Sequence, residues 1–194
     1  MRLPKLREPA PCLLQILAIA SCVQRHAQRP PALSTSYQPH SPAVTQACRK
    51  LTIAAAAVVD GAQDNGIDAL YYDAPEKVCY LIQAKWVDSG NGSVEVGDVQ
   101  KFVQGCKDLL EPRLDRFNEK VRRKRDTIMA ALEDSSARFV MVIAYTGQQP
   151  LSQEALRPLG DLLENLNDPS ELVSLQVLSQ SELHRLAPIF DTSS

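Results

Sequence analysis

The chain has 194 residues, 44% of them hydrophobic and 23% charged, with a formal net charge of -2. That length is enough for one domain with a real core. The composition excludes a collagen-like, low-complexity or disulfide-dense chain, and no apolar run reaches the roughly 18–20 residues of a membrane span.

Charge and proline are unevenly placed. Residues 1–50 hold seven Lys/Arg against the single acid Glu8, a balance of +6, and the rest of the chain carries -8. Seven of the 13 prolines also lie in the first fifty residues. Residues 1–45 therefore read as a separate basic, Pro-rich segment ahead of an α/β domain over 46–190. Within that segment, Arg2, Lys5 and Arg7 precede CLLQILAIASCV, which has the charged and apolar regions of a secretory signal. Pro9, Pro11 and Gln15 favour a short amphipathic or core helix instead. RHAQRPPALSTSYQPHSPA, residues 25–43, has linker composition. Five widely spaced cysteines, 12, 22, 48, 79 and 106, form no CxxC or CxH cluster. They point to reduced thiols and a cytoplasmic protein, with export as the alternative.

From residue 44 the pattern is regular. VTQACRKLTIAAAAVVD predicts a helix ending before Gly61. GAQDNG is loop chemistry. IDALYYD and VCYLIQAKW, joined by APEK, predict a β-hairpin. VEVGDVQKFVQGCKDLLE places Val99, Phe102, Val103, Cys106, Leu109 and Leu110 at helical spacing. A second helix is expected over 113–134, striped by Phe117, Val121, Ile128 and Leu132. RFVMVIAYTG reads as a strand buried on both faces. A helix N-capped by Ser152, the strand LVSLQVLS and a short helix QSELHRLAP follow. This order predicts an α/β sandwich with a mixed central sheet flanked by helices.

Strand residues alternate faces, so Cys79, Leu81, Gln83 and Lys85 share one side of the second hairpin strand. Tyr80, Ile82, Ala84 and Trp86 share the other, which reads as core, Trp86 as core or rim. Tyr71 and Tyr72 straddle the first strand, one expected inward and one toward solvent. A buried lysine needs a partner, and Asp68 on the adjacent strand is the expected one. An aspartate, a second oxygen donor and a lysine make a centre for a hard cation such as Mg²⁺ and for phosphodiester hydrolysis.

GID-x(14)-QAK resembles the D…(D/E)xK core of the restriction-endonuclease-like PD-(D/E)xK nucleases, with Gln in place of the acid before xK. DNGIDALYYD…VCYLIQAKW resembles the N-terminal nuclease-like region of abortive infection phage resistance proteins, and the likeness extends over about residues 55–180. The resemblance implies a restriction-endonuclease-like three-layer sandwich. It implies a DNA endonuclease using Mg²⁺ or Mn²⁺ in phage defence. It makes Asp68, Gln83 and Lys85 the catalytic set and Asp68, Gln83 and the Ala84 carbonyl the metal ligands. Gln100 would be an auxiliary polar residue. Such folds carry an acid on the helix before the first strand. Residues 44–59 contain none, and Asp60 and Asp64, the available substitutes, read as loop. A nuclease fold that binds nucleic acid without cutting is the alternative function.

Residues 113–125 hold seven Lys/Arg against two acids. Arg116, Lys120, Arg122, Arg123 and Lys124 are the candidate phosphate contacts, with DNA the expected partner, RNA the alternative and no membrane. The three histidines, 26, 40 and 184, have no ligand spacing.

Overall fold

The computed structural model describes residues 53–167 and 171–186. The basic Pro-rich segment, its signal-like run and the start of the domain at 46 lie outside the described residues, and so does the chain after 186.

Four strands form one mixed sheet in the order β1-β2-β3-β4, namely β1 (Ala69–Asp73), β2 (Val78–Lys85), β3 (Arg138–Tyr145) and β4 (Val173–Leu178). The β1–β2 pair is an antiparallel hairpin in which Ala69 faces Ile82. The β2–β3 and β3–β4 pairs are parallel, with Lys85 facing Tyr145 in the first. Parallel neighbours need crossovers. The first runs through α1 (Val96–Leu110), a 3-10 turn (Leu114–Arg116), α2 (Glu119–Arg122) and α3 (Arg125–Glu133). The second is α4 (Gln153–Leu166), and α5 (Gln180–Leu186) follows β4.

Both central strands are apolar along nearly their whole length because both sheet faces are covered. Cys79, Leu81, Met141 and Ile143 join Phe102, Cys106 and Leu109 of α1 in the larger core cluster. Tyr80, Ile82, Val140 and Val142 join Ala54 and Ala57 in a second one, and residues 53–57 are helical. Burial pushes the Cys79 thiol up to about 12, as expected of a thiol used for packing. Ser152 caps α4 by accepting from the Ala155 amide at 3.2 Å.

Several expectations are corrected. The helix expected over 113–134 is broken into three pieces. Asn118 stops the first and caps the second, its Oδ1 accepting from the Val121 amide at 3.0 Å, so the backbone at Phe117 and Asn118 is extended rather than helical. The apolar stripe survives the break, with Phe117, Val121 and Ile128 all buried. Tyr71 and Tyr72 are both half-buried, each against a different core cluster, since neither sheet face is solvent. Tyr71 stacks on Tyr80 across the hairpin. Trp86 lies one residue past the end of β2 and is 41% exposed, at the rim rather than in the core.

Candidate metal and phosphodiester site

The site begins where the hairpin runs out. Asp68 immediately precedes β1, and its backbone is pinned on two sides. Its amide donates to the Ile82 carbonyl at 2.8 Å, and its carbonyl accepts the Val59 and Asp60 amides at 2.8 and 3.0 Å. The carboxylate then takes over the pairing role of the missing strand backbone, as Oδ2 accepts the Ala84 amide at 2.7 Å. Asp68 is thereby fixed against the QAK end of β2, only 5% exposed.

The loop 60–66 brings two more acids to it. One carboxylate oxygen from each of Asp60, Asp64 and Asp68 lies within 4.8 Å of the other two. Asp64 closes the loop on itself, Oδ1 accepting from the Gly66 amide at 2.8 Å and Oδ2 from the Gly61 amide at 3.2 Å. Positive φ at Gln63, Asn65 and Gly66 winds the chain tightly enough for this. Asn118 and Lys120 hold the loop from α2. Asn118 donates to the Val59 carbonyl at 2.8 Å, and Lys120 Nζ donates to the Asp60 carbonyl at 2.6 Å. Asp108 of α1, itself buried, receives Asn65 Nδ2 at 3.3 Å and Arg116 at 2.7 Å.

The loop docks on α1 where the helix has no side chain. A Cβ on Gly105 would collide with the Asn65 carbonyl, and one on Gly66 would stand 2.8 Å from the Phe102 amide nitrogen. Gly105→Ala is therefore expected to push the loop away, destabilising the fold by about 1–3 kcal/mol and weakening any Mn²⁺ binding in parallel. Denaturant unfolding together with a Mn²⁺ titration checks this, and a variant unchanged in both would mean that the docking is not needed.

Electrostatics divides the three acids. Burial pushes the Asp68 carboxyl up, and the charges of Asp60 and Asp64 add to this. The Ala84 amide and Lys85 oppose it, leaving a value of about 7. Burial, then repulsion from Asp64, also raises Asp60 against the pull of Lys120. At Asp64 burial is outweighed by the Lys101 ammonium and the Gly66 and Gly61 amides, which hold it below its ordinary value. The carboxyls of the buried Asp68 and the half-buried Asp60 are thus both raised, as where acids crowd together at a site suited to a hard cation.

Gln83 is 1% exposed, and its Nε2 donates to the Asp98 carbonyl at 3.2 Å. Its Oε1 is buried without a hydrogen-bond partner among the described residues. Such an orphaned oxygen calls for an explanation, and an oxygen-seeking metal ion is one. The acids and this amide oxygen fit Mg²⁺ or Mn²⁺, which prefer oxygen donors.

Asp68, Gln83, Ala84 and Lys85 are brought together as the sequence suggested. Lys85 departs from expectation in its partner, since Nζ pairs with Asp98 Oδ1 of α1 at 2.8 Å rather than with Asp68, whose Oδ2 is given to Ala84. Gln100 lies elsewhere. It is exposed and lines a cleft of about 410 Å³ with Glu154, Arg157 and Pro158 of α4. Its neighbour Lys101 reaches the loop instead, with Nζ 2.7 Å from Asp64 Oδ1. Asp98 and Lys101 escaped the sequence reading. Their spacing of three on α1 puts them on one helix face, the only hint that the sequence carries.

The basic run is largely engaged within the chain. Arg116 pairs with Asp108 at 2.7 Å, and Arg122 and Arg123 pair with Glu119 at 3.2 and 3.3 Å. Lys120 touches Asp60, and Lys124 is half-buried beside Tyr71 and Thr127, its ammonium pulled down by burial. Among the described residues no helix is long and apolar enough to cross a membrane. No family model, no curated protein and no solved structure matches this chain.

Proposed function

We propose that the chain is a metal-dependent phosphodiesterase of nuclease type, and that its mixed sheet is the core of a restriction-endonuclease-like three-layer sandwich. One observation carries the reading, the convergence of Asp60, Asp64 and Asp68 within 4.8 Å at the strand end that bears Gln83 and Lys85. An acid-free preceding helix favours a non-catalytic module, whereas Asp60 and Asp64 beside Asp68 favour the catalytic reading. A bound Mg²⁺ or Mn²⁺ would supply charge neutralisation at the phosphate and a water of lowered pKa.

Asp68 and Asp60 are the carboxylate ligands in this reading, joined by Gln83 Oε1 and the Ala84 carbonyl. The Ala84 amide orients Asp68. Lys85, held by Asp98, donates to a phosphate oxygen or to the attacking water and stabilises the charge that develops. Lys120 and Lys101 border the acids and give a nucleic-acid strand cations to approach. DNA is the proposed substrate and RNA the alternative. Phage defence rests on the sequence resemblance alone.

Purified protein is expected to nick plasmid DNA with Mn²⁺ and to stop when the metal is chelated. Salt-sensitive DNA binding with no cleavage of DNA or RNA in Mn²⁺ would replace this proposal with the non-catalytic module.

A further inference from the structure

The acidic loop already has a cation beside it. Lys101 projects from the second turn of α1, and its ammonium lies 2.7 Å from Asp64 Oδ1. The Asp64 side chain is 8% exposed, whereas that of Lys101 is 53% exposed. A flexible, mostly solvated stem thus delivers a charge to a buried carboxylate with an oxygen within 4.8 Å of one from Asp60 and one from Asp68. The Gly61 and Gly66 amides also hold Asp64, so its position does not depend on the lysine. A second feature of the same place points to a cation. The Gln83 side chain packs against this loop, its Nε2 3.2 Å from where a Cβ on Gly66 would stand, and its Oε1 has no hydrogen-bond partner among the described residues.

We propose that Lys101 is a built-in counter-cation of this site, against which a divalent ion must compete, so that Lys101 sets the affinity for metal. The proposal rests on the nuclease reading above. Like charges a few ångströms apart in a partly buried site repel strongly, so an ion bound by Asp60 and Asp68 pays for the nearby ammonium. In the opposite reading Lys101 is a staple between α1 and the loop, and its loss would loosen the site.

Calorimetric titration of the full chain with Mn²⁺ separates the two. Lys101→Gln is expected to bind Mn²⁺ about tenfold more tightly than wild type, and Lys101→Arg, which keeps the charge, about as wild type does. Should Lys101→Gln fail to fold, Lys101→Met carries the same expectation. Tighter binding by the uncharged variant supports the proposal even if wild type binds too weakly to measure. Unchanged or weaker binding by that variant, with wild-type binding still dependent on Asp68, overturns the proposal and leaves the site reading standing. Binding by neither protein, or binding that survives Asp68→Asn, overturns both.

Discussion

Asp68→Asn is expected to abolish Mn²⁺-dependent cleavage and to make the metal-free protein more stable at pH 8. The first effect follows from loss of the carboxylate at the centre of the acidic cluster and should exceed about a hundredfold. The second follows from the cost of ionising Asp68 where it sits. Its carboxyl titrates at 3.8 when exposed and at about 7 in the fold. Below pH 3.8 the group is protonated in both states and its contribution to stability is fully present. As pH rises further the unfolded chain gives up the proton first, so the contribution shrinks, and it is lost once pH passes about 7. The full difference is about 4 kcal/mol. The raised carboxyl of Asp60 acts in the same direction. Asparagine cannot ionise, and its Oδ1 can still accept the Ala84 amide. Urea unfolding at pH 5 and pH 8 should therefore show a marked loss of stability in wild type and a much smaller one in the variant. Equal losses in the two proteins would mean that the ionised carboxylate sits there at no cost.

Lys85→Ala is expected to lower cleavage by about 10²–10³-fold and to leave the fold intact. The side chain of Lys85 is 30% exposed and that of its partner Asp98 36%. A pair so open to water contributes about 0–1 kcal/mol, so unfolding should shift little. Activity and stability are thus separable at this position, unlike at Gly105. Single-turnover cleavage assays paired with circular dichroism make the test, and a variant that cuts as fast as wild type would remove Lys85 from the chemistry.

Much of this was legible in the sequence because local patterns decide it. The alternation along VCYLIQAK sorted Cys79 and Leu81 from Tyr80 and Ile82, and these residues do enter separate core clusters. The same alternation set Gln83 and Lys85 side by side, and the hairpin turn at APEK brought Asp68 opposite them. The break at Asn118 was missed because the apolar stripe keeps helical spacing across it. Only the side-chain cap on Val121, a contact rather than a periodicity, separates the two pieces.

The sequence by itself determined the strands, the order of the elements and the three residues Asp68, Gln83 and Lys85, since each depends on neighbours a few positions away. Tertiary structure alone decided what surrounds them. GAQDNG reads as loop, and nothing in its composition says that the loop folds back so that Asp60 and Asp64 meet Asp68. That return depends on a glycine in α1 forty residues away, on Asn118 and Lys120 of α2, and on hydrogen bonds to the Asp68 carbonyl. The partners of Lys85 and Asp64 were likewise settled by the docking of α1, which presents Asp98 to one and Lys101 to the other. Long-range contacts of this kind leave no period in the chain, so the meeting of Asp60 and Asp64 with Asp68 could be found only in three dimensions.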